Sequence, residues 1–248
     1  MTSLRLIKGE LRKLVTTKIL LGFFLALVVI AAIDAAAVAF GTDMDGSTGF
    51  IATAEDQVSL MAFGFNAMLG TALFGAIAVA REYGHATVVP MFLTSPNRTR
   101  AVLAQLTAVL LAGALLGLIG EAMIVGAVAL ALPATETAFL ASGGDILRLV
   151  LASGLAGMAG AVLGAGIGSL VRNLGGAVTI SVLLLFIAPG MTAQLISGTA
   201  SWMPPTLLSV VSGVTAEISV GAAILALVAW AMFPAVAGLV AVQRRDVV

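Results

Sequence analysis

Apolar residues arrive in six long blocks separated by short polar segments. The blocks run over residues 19–40, 58–80, 101–132, 146–171, 174–197 and 218–242. Each supplies the ~20 mostly apolar residues that a helix needs to cross a bilayer. The pattern predicts an all-α membrane protein with six transmembrane helices, and a single membrane domain over residues 1–248. The third block is long for one crossing. At 1.5 Å per residue it would reach roughly 45 Å, so tilt, projection or a bend is expected, and Gly113, Gly117 and Gly120 mark the expected bend. Ahead of the first block, residues 2–18 place Leu4, Ile7, Leu11, Leu14 and Val15 at helical spacing, with Arg5, Lys8 and Arg12 on another face. That is the pattern of an amphipathic helix lying in the membrane interface, anchored to lipid headgroups by Arg5, Lys8, Arg12 and Lys13. A cleaved leader ending at Ala35-Ala36-Ala37 is the competing reading. The length of the apolar run and the patterned helix before it favour the anchor.

Charge gives the bundle its direction. Arg5, Lys8, Arg12, Lys13, Lys18, Arg81, Arg98, Arg100, Arg172, Arg244 and Arg245 fall on one side of a six-span arrangement, and only Arg148 falls on the other. By the positive-inside rule the first side is cytoplasmic, so both termini are expected there. Asp43, Asp45, Glu55, Asp56, Glu136, Asp145 and Glu217 fall outside.

Composition then narrows the function classes. The chain is 60% hydrophobic and 10% charged, against about 45–50% and about 25% in a soluble domain. This excludes a soluble enzyme and a nucleic-acid binder. No cysteine and one histidine, His85, exclude thiolate chemistry and histidine-rich metal sites. The only lysines are Lys8, Lys13 and Lys18, none of them in a G-x-x-x-x-G-K-[ST] phosphate loop. The chain is expected to be no enzyme and to hold no cofactor or metal of its own.

Candidate sites are few. Asp34, Glu121 and Arg148 are the charges within spans, and intramembrane charge is a functional-site hypothesis by default. Counting helical rise places Asp34 and Glu121 roughly 24 and 30 Å from the cytoplasmic ends, near the outer interface. They read either as interfacial or structural charges, with Glu121 paired to Arg148, or as a polar patch in an exit pathway or a proton-linked site. Asn66, with scattered Phe and Met, could line an apolar route. Gly154, Gly157, Gly160, Gly164 and Gly168 form a small-residue stripe in the fourth span and read as a helix-packing face. The first cytoplasmic loop opens with Arg81-Glu82-Tyr83-Gly84-His85-Ala86-Thr87 and closes with Pro96-Asn97-Arg98. Its apolar side (Val88, Val89, Met91, Phe92, Leu93) fits either a surface that docks into a partner's cleft or a plain connection.

In these segments the chain resembles the six-span permease subunits of bacterial ABC exporters of the second exporter type. Those often carry E-Y-R-x-G-T after the second span and L-x-x-P-x-R beyond it. Glu82, Tyr83, Thr87, Pro96 and Arg98 match, whereas Gly84, Ala86 and Gln105 stand where Arg, Gly and Lys are common. The tight turn at Arg172-Asn173, the Trp202-Met203-Pro204-Pro205 segment, which in that family dips back into the membrane, and the tail from Gln243 resemble the family too. The resemblance implies a multi-pass protein of the bacterial cytoplasmic membrane that pairs with a second permease copy or paralogue. Each would bind a separate cytoplasmic ATPase subunit holding ATP and magnesium. The N-terminal helix would be an elbow and residues 82–87 with Pro96 and Arg98 the coupling loop. A hydrophobic or amphipathic substrate (drug, antibiotic or lipid) would leave between the permeases. The alternatives are a small channel or secondary carrier that needs no ATPase, and a structural membrane subunit.

Overall fold

A computed structural model describes residues 3–42, 49–64, 66–84, 98–196 and 198–244. Among these residues the protein is all-α, without a strand, and six helical stretches are long and apolar enough to cross a membrane. Helix α1 (Ser3–Thr16) precedes the first span, α2 (Ile19–Phe40). The second span is two helices, α3 (Ala54–Gly64) and α4 (Ala67–Gly84). The third is α5 (Arg98–Ala131), the fourth α6 (Gly143–Val171) and the sixth α10 (Val220–Arg244). The fifth joins α7 (Leu174–Val182) to α8 (Ala188–Leu195) through a π-helical turn at Leu183–Ile187. A short helix, α9 (Pro204–Ser212), lies between the last two spans.

Helix α6 is the hub, packed against α4, α5, α7, α9 and α10. Lipid removes the hydrophobic drive between helices, so close backbone approach must supply the attraction, and small residues permit it. The glycine stripe does this on several faces. Gly160 and Gly164 lie against the backbone of Met68 and Ala72 on α4, and Gly157 against Gly113 on α5. Gly166 lies against Pro234 and Ala235 on α10. The expected packing role is therefore met. Helix α5 is continuous through Gly113, Gly117 and Gly120, and Gly113 and Gly117 lie at its crossing with α6. At the periphery, α2 turns Leu21, Phe24, Leu25 and Val29 outward as a lipid-facing surface and docks by Phe23, whose ring meets Phe74 edge-on at 5.4 Å.

Two interruptions were not predicted. In the second span the chain leaves α3 at Gly64 and restarts at Ala67, where the Asn66 side chain accepts from Leu69 N at 3.1 Å. Asn66 is thus the N-cap that satisfies an orphan amide at a helix start within the span. In the fifth span Pro189 cannot donate a backbone hydrogen bond, and the π turn just before it absorbs the mismatch.

Opposite ends of the bundle are tied differently. At one end α1, the end of α4 and the start of α5 meet, and Gln243 Nε2 donates to Thr99 Oγ1 at 2.9 Å. At the other end the fully buried Gln57 donates to the carbonyls of Ile51 and Ala138 and accepts from Leu140 N.

Candidate functional site

The basic end holds the expected coupling residues. Glu82 is largely buried at the end of α4 and is gripped from two elements. Lys13 Nζ on α1 donates to its Oε1 at 2.9 Å, and Gln105 Nε2 on α5 donates to its Oε2 at 3.0 Å. Lys13 also bridges to Glu10 at 2.7 Å. Both carboxylate oxygens of Glu82 are thus satisfied, which burial of the charge requires. Burial alone would pull Lys13 down, but the charges of Glu82 and Glu10 outweigh it and hold the ammonium above its ordinary value of 10.5. Burial pushes Glu10 up, and Lys13 offsets part of that.

The next residue reaches another element. The Tyr83 ring lies 5.1 Å from the Arg172 guanidinium carbon, a cation–π contact. Arg172 ends α6 in a left-handed conformation (φ 55°), its amide donating to Gly168 O at 2.9 Å, and Asn173 caps α7 by accepting from Gly176 N at 2.9 Å. Nε and Nη2 of Arg172 are buried without a hydrogen-bond acceptor. Glu82 and Tyr83 therefore tie the start of the first loop to α1, α5 and the second turn at once. Gly84 is the exposed last residue of α4, and Arg98 the exposed first residue of α5. His85, Ala86, Thr87 and Pro96 lie outside the described residues.

The anchor helix divides its residues in part as expected. Arg5, Lys8 and Arg12 are exposed, and Leu11 and Leu14 pack inward. Leu4 and Val15 are exposed, as apolar residues of an interfacial helix can be, and Lys13, expected at lipid headgroups, is turned to Glu82. Periodicity alone gives no hint of a carboxylate 69 residues away. The missed partner Gln105 carries no local signal either, whereas Glu10 lies three residues before Lys13, a helical spacing at which opposite charges pair.

At the opposite end the expected Glu121–Arg148 pair is absent. Glu121 is fully buried and accepts from Ser153 Oγ at 2.8 Å. Arg148 turns to the C-terminus of α9, donating to Val211 O at 3.0 Å and Val210 O at 3.1 Å. Val210 O also accepts from Gly213 N at 3.2 Å, so Arg148 adds a charged donor at this helix end, where a cation complements the helix dipole. Gly213 makes room. It adopts φ 90°, and a Cβ there would strike the Arg148 guanidinium. The Trp202 carbonyl accepts from Trp230 Nε1 at 3.0 Å. Trp230 lies about 15 Å along α10 from Val220, so residues 200–212 return beside α10 within its length. Arg148→Met should lower stability by about 1.5–3 kcal/mol, because two helix-end carbonyls lose a charged donor. Thermal unfolding in detergent reads this, and an unchanged midpoint would contradict the clamp.

Between α2 and α5 runs an open apolar cleft of about 720 Å³, lined by Val28, Ala32, Ala36, Met123 and Leu130 among others. Asn66 faces a smaller cleft with Phe63, Pro205 and Ser212. Among the described residues no group of acidic, His or Cys side chains could hold a metal ion.

No protein-family model matches this chain, and no curated protein sequence does. The fold and its helices define the class, a multi-pass α-helical membrane protein with six candidate spans.

Proposed function

We propose that this protein is the permease subunit of an ATP-driven exporter, working with a separate cytoplasmic ATPase and a second permease copy or paralogue. On this reading the membrane is the bacterial cytoplasmic one, and the substrate is hydrophobic or amphipathic. The observation that carries the reading is the Glu82 junction. A loop that must pass on a partner's motion needs a stiff hold on the helices it moves. Glu82 is held by α1 and α5, and its neighbour Tyr83 stacks under the second turn. The lack of a phosphate-loop lysine supports an energy source on another chain. The cleft between α2 and α5 suits a lipophilic passenger. Purification from the native membrane tests the reading. A P-loop ATPase should accompany the chain in equal copy number, and a chain that purifies without one would overturn the proposal.

A secondary carrier is the second reading. The span broken at Gly64–Asn66 beside intramembrane carboxylates favours it, since carriers build ion sites at interrupted helices.

A further inference from the structure

A cavity of about 210 Å³ opens at the corner where the anchor helix gives way to the first span. Lys13, Leu14 and Thr17 line it from α1 and the turn after it, Ile19 from the start of α2, and Arg81 and Glu82 from the end of α4. The corner is made by Lys18, whose left-handed conformation (φ 57°) separates α1 from α2.

Charge at this corner is unbalanced. Residues 10–19 and 78–82 carry four cations, Arg12, Lys13, Lys18 and Arg81, against two carboxylates, Glu10 and Glu82. Both carboxylates are already engaged, Glu10 by Lys13 and Glu82 by Lys13 and Gln105. An ammonium has three N–H donors, and Lys13 gives two of them to these carboxylates. A third remains at the wall of the cavity, on a side chain that is 41% exposed and so within reach. Arg81 adds a guanidinium, whose planar fork takes two oxygens of one phosphate together. The excess is positive, so the complementary occupant is an anion.

The place of the cavity in the membrane selects the anion. It adjoins the first residue of a span at the basic end of the bundle, which puts it at the level of the lipid headgroups. By the positive-inside rule that is the cytoplasmic leaflet, the one whose anionic lipids attract basic segments. Just beyond Ile19, Leu21 and Leu25 of α2 are exposed and offer acyl chains an apolar surface.

We propose that this cavity binds the phosphate of one anionic phospholipid, with Lys13 and Arg81 as its donors and the acyl chains against α2. The site rests on the membrane topology and stands whether or not the chain works with an ATPase. A phosphate held there ties α1 to α4 beside the Glu82 junction.

Native mass spectrometry of the full chain in detergent with added lipid tests this. Phosphatidylglycerol and phosphatidylcholine are the probes, because they share the phosphate and differ in net charge. One phosphatidylglycerol per chain should be retained, at least about tenfold more tightly than phosphatidylcholine. Arg81→Gln should weaken that retention about fivefold, the effect of one cation near a membrane surface, while thermal unfolding shows the variant folded. Arg5→Gln, an exposed position at the far end of α1, should change it less than about twofold. Inorganic phosphate at millimolar concentration should not displace the lipid, because it has no acyl chains to place on α2. If Arg81→Gln does not fold, Thr17→Trp serves instead. Thr17 is exposed, and the larger ring fills the cavity without removing a cation, so retention should again fall at least about fivefold. Equal retention of the two lipids, displacement by inorganic phosphate, equal losses in Arg81→Gln and Arg5→Gln, or full retention in Thr17→Trp would overturn the proposal.

Discussion

Glu82→Ala reduces ATP hydrolysis by the permease–ATPase complex about tenfold or more, while the chain still inserts and purifies. The loss follows from the junction. Alanine removes the acceptors of both Lys13 and Gln105, so the start of the first loop is no longer fastened to α1 and α5. A hydrogen bond to a charged group is worth about 1.5–3 kcal/mol, and 1.4 kcal/mol is a factor of ten in an equilibrium. Insertion is spared because the spans are set by their apolar length. Lys13→Met should act in the same direction, since it removes the hold of α1 on Glu82. Tyr83→Ala should also uncouple, because it removes the platform under Arg172. Hydrolysis at the wild-type rate in Glu82→Ala would end the coupling role of the junction.

Gly164→Val prevents the bundle from assembling. A Cβ at this position would collide with the Ala72 carbonyl and lie 2.7 Å from its carbon and 2.9 Å from its Cα. Backbone cannot step aside as a flexible side chain can. The two helices must separate along their length, and the attraction in this interface comes from close approach. Overpacking a core typically costs 1–3 kcal/mol, and a backbone collision at the hub lies at or above about the upper end. The expected result is loss of the monodisperse species in size-exclusion chromatography. Gly126→Ala is the control, because nothing lies within 4 Å of its added methyl. It should melt within about 0.5 kcal/mol of wild type. A Gly164→Val variant that melts like the wild type would show that α4 and α6 are not held by this contact.

What the sequence made legible was set by length and composition. Six apolar blocks become six candidate spans because apolar length alone decides which helices can cross a bilayer. Gly160, Gly164 and Gly168 were legible as a packing face because four-residue spacing places them on one side of the helix, the side that meets α4. Depth was partly legible, since helical rise set Asp34 and Glu121 at similar heights. Rotation was not. Rise alone does not say which face of α5 turns to α6, so the sequence permits a Glu121–Arg148 pair among other readings. The structure instead gives it Ser153, five residues further along α6, and turns Arg148 toward α9. The flanking residues stay apolar across the break, so the sequence predicts a continuous span with Asn66 as a polar residue within it. Gly64 before it and its own capping chemistry were the local signals of an interruption. The Glu82 junction joins residues 23 and 69 positions apart, and no local pattern encodes such a pairing.

ATP hydrolysis measured on the reconstituted protein, alone and with a co-purified P-loop ATPase, tests the exporter account most directly. The chain alone should hydrolyse no ATP, and the complex should hydrolyse it at a rate that depends on Glu82. Robust hydrolysis by the lone chain, or a complex indifferent to Glu82→Ala, would contradict the account.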